Sequence, residues 1–274
     1  MNYKLRTKPG LSLMEEIVVV AIIAMLVAIG LPAARSLYKS VEAEAGGKAM
    51  ISAAFSAARA IAAKEQRYAG VRFQYAYYKD DPNKSPLKSS QYMIFIVNEE
   101  YKKMGNINTG FRAVKGIKPI KLPDSVGVMD LKLSPDQIVN NNNKINDDWE
   151  LTDTTSFSII FSPSGKMVLH KVRVRNRDAK TEGESPQSKD DIFNTLKQIT
   201  NLTEPHGMFA QDDYPTPGYL GYDEEPSRRS FIIYDRNILE KLDPAKRYTD
   251  YLEDFVKNKK EIFINPYTGT MIDK

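Results

Sequence analysis

Between Ile17 and Leu31 every residue is apolar or glycine, and Glu15 and Glu16 stand directly before that run. A helix that crosses a bilayer needs about 20 largely apolar residues. Leu11 to Leu31 supplies that length only if both glutamates are counted inside it. A carboxylate in hydrocarbon is costly and requires a partner. The pattern therefore predicts a membrane-spanning helix carrying a charge that something else must neutralise. Helical spacing continues after Pro32 through Leu37, Val41, Ala45, Ala49, Ala53, Ser56 and Ala60, with Met50, Ile51, Phe55 and Ile61 beside them. Alanine, the best helix former, dominates Ala43 to Ala63. Pro32 removes one backbone donor and predicts a gentle kink. Gly46-Gly47 marks a weak point where a bend is expected. The reading is one helix from about Leu11 to about Gln66, about 80 Å long at ~1.5 Å per residue. Residues 11–32 form its transmembrane half and residues 33–66 an amphipathic half.

The period then changes. Val71 to Tyr77 alternates like a half-buried strand. Tyr92 to Val97, Phe111 to Ile120, Val126 to Leu133, Phe157 to Phe161 and Met167 to Val174 are further strand candidates. Ser162-Pro163-Ser164-Gly165 predicts a tight turn between the last two. Asp80 to Pro86 reads as a loop. A helix followed by antiparallel strands gives an α+β fold, with residues 67–175 as the sheet domain. Residues 176–229 are polar, then rich in proline, glycine and acid. They predict a flexible extension with a short helix near Ile192 to Ile199. Residues 230–274 resume with a strand at Phe231 to Tyr234. A helix follows from Ile238 to Val256, interrupted at Pro244, and then a hairpin around Asn265-Pro266-Tyr267-Thr268-Gly269.

Cysteine is absent from the 274 residues, which removes disulfides, thiol nucleophiles and cysteine-ligated metals. Net charge is +4 at pH 7, a mild excess that names no partner by itself. The two histidines, His170 and His206, are few for a metal or acid–base site.

A secretory signal is one account of the N-terminus, with Lys4, Arg6 and Lys8 as its basic part. Glu15 and Glu16 stand where its apolar core would begin, and Gly30 to Arg35 contains no A-x-A-like site. A plain single-pass anchor explains the apolar run but not the glutamates. Lys8-Pro9-Gly10-Leu11, Glu15 and Pro32 together resemble the N-terminus of type IV pilins and type II secretion pseudopilins. In that family prepilin peptidase cuts a basic leader after its glycine and methylates the new amine. The resemblance makes residues 1–10 the leader, Gly10 and Leu11 the processing site, Glu15 the assembly residue at the fifth mature position and Pro32 the helix kink. The chain departs from the family with Leu11 in place of phenylalanine and Glu16 in place of an apolar residue. The Leu11 amine would sit at the positive end of a helix dipole, where it calls for an anion. Glu15 lies ~6 Å further along its own helix. In staggered parallel helices that carboxylate meets a neighbour's amine, and a desolvated pair of this kind fixes register. Glu16 points ~100° away, towards the headgroups. Ala57-Ala58-Arg59-Ala60-Ile61, Gly70-Val71-Arg72-Phe73 and Phe161-Ser162-Pro163-Ser164-Gly165 are similar to stretches of the GspH/FimT group of minor members.

The resemblance implies a pilin-like fold and an inner-membrane subunit with its N-terminus in the cytoplasm and its body in the periplasm. It implies other pilin or pseudopilin subunits, prepilin peptidase, an inner-membrane assembly platform and membrane lipid as partners. It implies a structural part of a secretion filament, with no enzymatic activity and no cofactor. Another reading is a minor pilin that binds DNA or surfaces. Lys171, Arg173, Arg175 and Arg177 alternate on one expected strand face and could meet phosphates of a nucleic acid. A solvated strand face is the simpler account of them, and no interleaved aromatics add base stacking. Ser164-Gly165-Lys166 is not a P-loop, because Ile160 stands where the first glycine belongs. Asp81, Asn83 and Ser85 match the first ligands of a calcium loop, but Pro86 and Tyr92 break the pattern. Asp212-Asp213 with Asp223-Glu224-Glu225 has no recognisable ligand spacing. His170 alternates with Val168 and Val172 and reads as a strand residue rather than a base.

Overall fold

A computed structural model describes residues 44–77, 86–100, 109–131, 151–178, 180, 186–201, 203, 206–212, 225–243, 246–251 and 261–273, with the single positions Val18 and Met25. From residue 44 onward these belong to one unit, Ala43–Lys274. Residues 44–65 form helix α1, which keeps one apolar stripe inside. Gly47, Ile51, Ala54, Phe55, Ala58 and Ala62 are buried, while Ala49, Ala53, Ser56, Ala57, Ala60 and Ala63 are exposed. The helix stops where the pattern placed its end. Gln66 takes a left-handed φ of 54°, and the Arg67 amide returns to the Ala62 carbonyl at 3.3 Å, closing the last turn. Where a weak point was expected, at Gly46-Gly47, the helix runs on without a break. Gly47 instead lets the helix approach the sheets, since a Cβ there would lie 3.0 Å from Val126 Cγ1.

The strands are β1 (Ala69–Tyr75), β2 (Gln91–Glu100), β3 (Thr109–Ala113), β4 (Ile120–Lys121), β5 (Val126–Met129), β6 (Phe157–Phe161), β7 (Met167–Val168), β8 (Lys171–Val172), β9 (Phe193–Asn194), β10 (Phe209–Ala210), β11 (Glu225–Pro226), β12 (Ser230–Asp235), β13 (Ile262–Ile264) and β14 (Met271–Asp273). Short helices are α2 (Thr152–Thr155), α3 (Leu196–Thr200) and α4 (Arg236–Lys241). An antiparallel sheet runs β3-β2-β1-β6-β7, with β4 also paired to β2. A second antiparallel sheet runs β14-β13-β12-β5. The fold is α+β, with α1 packed against antiparallel sheet. The strand expected over Phe111 to Ile120 divides into β3 and β4 around Gly116, whose φ of 82° suits a turn. Met167 to Val174 likewise divides into β7 and β8. The turn at 162–165 closes with the Gly165 amide on the Ser162 carbonyl at 2.8 Å.

The main core lies between α1 and both sheets. Val71 and Phe73 of β1, Met93, Phe95 and Val97 of β2, and Phe157, Ile159 and Phe161 of β6 face the helix. Phe231 and Ile233 of β12 join them. Phe55 is the hub, with its ring 6.2 Å from Phe73, 6.1 Å from Phe161 and 5.9 Å from Phe231, each edge-on. Gln91 stitches the two sheets together. Its amide nitrogen donates to the Val128 and Thr155 carbonyls at 2.7 and 2.8 Å, and its amide oxygen accepts from the Val128 N–H at 2.7 Å. A fully buried glutamine thus satisfies the backbone where no strand pairing is available. Arg59 plays a similar part outside. Its Nε donates to the Gly165 carbonyl at 2.9 Å and its Nη1 to the Thr268 carbonyl, tying two hairpin turns to the helix.

The other face of the first sheet is also covered. The expected flexible extension, residues 176–229, supplies the cover in its described part. Ile192, Phe193 and Phe209 pack on Ile94, Ile96, Phe111, Ala113 and Ile160. A polar composition concealed this layer, because its few sheet-facing apolar side chains are widely spaced. The short helix expected near Ile192 to Ile199 is α3, capped by the Thr195 hydroxyl, which accepts from the Gln198 amide at 3.2 Å.

Two glycines in contrasting settings test this packing. Gly46 is exposed on α1 with open space where an alanine Cβ would sit, so Gly46→Ala should raise stability by roughly 0.5–1 kcal/mol. A Cβ at Gly70 would overlap the Ile159 carbonyl oxygen on the paired strand, so Gly70→Ala should lower it by about 2–3 kcal/mol. Urea unfolding of both variants measures the two shifts.

Candidate functional site

Gly10, Leu11, Glu15, Glu16 and Pro32 lie outside the described residues, as do residues 81–85 of the calcium-like loop. Among the described residues no helix is long and apolar enough to cross a membrane. The apolar run from Ile17 to Leu31 falls outside them except for Val18 and Met25, both helical and exposed. Among the described residues no group of three or more His, Cys, Asp or Glu side chains is placed to hold a metal. Asp213, Asp223 and Glu224 are outside them.

The basic stripe is not the continuous exposed face that alternation predicts. Lys171 is exposed and Arg173 and Arg177 are half-buried, but Arg175 is fully buried. The segment after β8 runs beside the edge strand β3, with the Phe111 amide on the Arg173 carbonyl at 2.7 Å and the Arg175 amide on the Phe111 carbonyl at 2.9 Å. It covers that edge, and residues 211–212 then cover it. Arg175 Nη1 donates to the Asp212 carbonyl at 3.2 Å, and Asn176 is enclosed among Gln211, Lys180 and Asn194. A phosphate cannot reach Arg175 without displacing this layer. Charge reversal there would disrupt packing, so it cannot serve as a clean test of DNA binding. His170 is half-buried against Tyr68 and Phe111, at ring distances of 4.5 and 5.5 Å. Its Nδ1 is 2.6 Å from the Lys171 carbonyl, which only accepts, so Nδ1 carries the proton. It packs against these rings, but it lies between β7 and β8 and not in the strand that alternation predicted.

The concentrated polar chemistry of the described residues is an ionic network on the second face of the first sheet. Arg72 sits on the central strand β1 and is 1% exposed. Its Nε donates to the Gln74 side-chain oxygen at 2.8 Å. Its two terminal nitrogens reach Asp212 at 3.2 Å and Glu225 at 3.4 Å. Arg228 joins Glu225, at 3.2 Å, to Asp130, which is wholly buried at the end of β5. Asp212 Oδ2 also accepts from the Val174 amide at 2.6 Å. Burial pushes the Asp212 carboxyl up to about 7, against the pull of Arg72 and of the Val174 N–H. Its proton affinity therefore falls in the physiological range, while its partners hold its geometry fixed.

Sequence reasoning missed Arg72, Asp212 and Gln91. The alternation Val71-Arg72-Phe73-Gln74 places Arg72 and Gln74 on a polar, solvated face, whereas a second layer buries that face. The available signal was an arginine and a glutamine on one face of an otherwise apolar central strand. Comparison with family models, curated proteins and solved structures finds no match for this chain.

Removing one partner of a buried ionic network leaves the other charge without compensation. Arg72→Met should therefore cost about 3–5 kcal/mol. Arg72→Lys should recover only part of that loss, because one ammonium lacks the planar fork that spans Gln74, Asp212 and Glu225. Urea or thermal unfolding at pH 7 measures both.

Proposed function

We propose that this chain is a pseudopilin: an inner-membrane subunit, processed after Gly10, that assembles through its N-terminal helix into a periplasmic filament of type II secretion. The observation that carries the reading is the combined motif Gly10-Leu11, Glu15 and Pro32 around one apolar run. Neither a cleaved signal nor a plain anchor calls for a glutamate at that place.

Two features of the described body support it. Helix α1 lies on an antiparallel sheet, the coarse arrangement a pilin-like body requires. Its outward face is mostly small, with Ala45, Gly46, Ala49, Ala53, Ser56, Ala57, Ala60 and Ala63 exposed and the exposed charges Glu44, Lys64 and Glu65 at its two ends. Small residues let a second helix approach closely, which a filament of parallel helices needs along its axis. On this reading the protein does no covalent chemistry. Its work is to place one body relative to the next, and the Leu11 amine and Glu15 carboxylate of adjacent subunits set the step.

Intact mass and N-terminal sequencing of protein recovered from membranes, with and without prepilin peptidase, test the assignment. The expected product begins at methylated Leu11 and depends on the peptidase. A chain beginning at Met1, or after Ala34, overturns the reading. The assembly face is tested separately. Ala57→Leu with Ala60→Leu should block filament formation yet change the body's stability by no more than about 0.5 kcal/mol, as expected for surface positions. The native chain lacks cysteine, so engineered cysteine pairs along α1 report neighbouring subunits by cross-linking without background.

A further inference from the structure

One end of the first sheet gathers the last turn of α1, the start of β1 and two hairpin turns. Ala69 pairs with Phe161 and Phe161 with Met167, so the start of β1 lies beside the turn at 162–165. The Met167 amide donates to the Pro266 carbonyl at 2.8 Å, which sets the turn at 265–269 next to them. Arg59 bonds both turns to α1. Tyr267 projects from the second turn and is 71% exposed, more than any other large apolar side chain among the described residues. Its backbone is nonetheless fixed. Asn265 Oδ1 accepts from the Tyr267 and Thr268 amides at 2.9 and 3.1 Å, and the Gly269 amide closes the turn on the Asn265 carbonyl at 2.8 Å. Lys166 Nζ lies over the Tyr267 ring, 5.7 Å from its centre. Hydroxyls flank the ring in pairs, Ser162 with Ser164 at 2.9 Å and Thr268 with Thr270 at 2.7 Å. Lys64 and Arg67 are exposed where α1 ends. Among the described residues none of Lys64, Arg67 and Lys166 is in an ion pair. Arg59, Lys64, Arg67 and Lys166 outnumber Glu65 and the half-buried Glu99 of β2 at this end.

We propose that this end of the molecule binds a carboxylate-bearing polysaccharide, with Tyr267 as the platform for a sugar ring. Three complementary groups stand together here. The open face of the Tyr267 ring suits the C–H face of a sugar, since tyrosine offers a flat apolar body with a polar tip. Lys166, Lys64 and Arg67 meet the carboxylates through charge-assisted hydrogen bonds. The hydroxyls of Ser164, Thr268 and Thr270 keep hydrogen-bonding capacity beyond their mutual contacts and exchange bonds with sugar hydroxyls. Arg59 and Asn265 hold both turns in place beforehand, so little ordering is left to oppose binding. A single-stranded nucleic acid calls for several free rings along a row of cations. Here the second exposed ring, Tyr68, is already packed against His170 at 4.5 Å. An acidic peptide uses the cations but has no need of the hydroxyl pairs. Such binding requires neither leader processing nor filament assembly, so it and the pseudopilin reading can fail separately.

Calorimetric titration of the full chain in detergent tests this, with a short oligogalacturonate as the probe. Its methyl ester, poly-L-glutamate of matched charge and a single-stranded oligonucleotide are the comparisons. The oligogalacturonate should bind, more tightly than all three, and more weakly as salt rises. Tyr267→Ala should weaken it about tenfold, as should Lys166→Gln combined with Arg67→Gln. All three positions are exposed, so the variants should keep the unfolding midpoint of the native chain. Absence of oligogalacturonate binding overturns the proposal. So does poly-L-glutamate or the oligonucleotide binding as tightly, which would mark a plain attraction for polyanions. A methyl ester that binds as well removes the role of the cations, and an unchanged affinity in Tyr267→Ala removes the platform. Either result overturns it too.

Discussion

Strand β1 is buried on both faces, and most of this architecture answers to that. A strand in the middle of a sheet with α1 on one side has a solvated far side in a two-layer protein. Here all seven residues of β1 are buried. The helix side is met with apolar side chains, Val71 and Phe73, gathered around Phe55. The far side carries Gly70, Arg72 and Gln74, so whatever covers it must bring partners for a guanidinium and an amide. The chain brings Asp212 and the Ala210 carbonyl from one segment and Glu225 from another. An ionic network of this kind adds little net stability over apolar packing of the same volume. It restricts which segment can dock and in which register, because a displaced segment would strand a buried charge.

Legibility in the sequence followed how local the determining physics was. Strand β6 occupies the five residues that its apolar run marked, and α1 stops within one residue of the expected end. The hairpin around Asn265 to Gly269 closes as its turn residues required. These elements are set by periodicity and turn chemistry within a few residues. The second-face layer is set by contacts across more than a hundred positions, as between Arg72 and Asp212. Its apolar residues are too sparse to form a pattern, so composition alone made residues 176–229 look extended. Arg175 misled for the same reason. Alternation holds to Val174, where the chain meets β3 and then passes beneath residues 211–212. Gly46-Gly47 misled in another way, since the pair signals either weakness or close approach and only the neighbour at Val126 decides. The proposed processing motif at Gly10, Leu11 and Glu15 is read from the sequence alone and lies outside the described residues.

Arg59 has a consequence for how the molecule comes into being. It bonds a carbonyl 209 positions further along the chain, and the nearby ion pair of Lys48 with Asp273 spans 225. A helix made early thus has part of its outer fastening supplied by a hairpin made very late. During synthesis the helix can pack on β1, β2 and β6 before β12 and the final hairpin complete the wall around it. Topologies dominated by such distant pairings fold slowly. The fastening of the helix is therefore complete only once the C-terminal hairpin is in place.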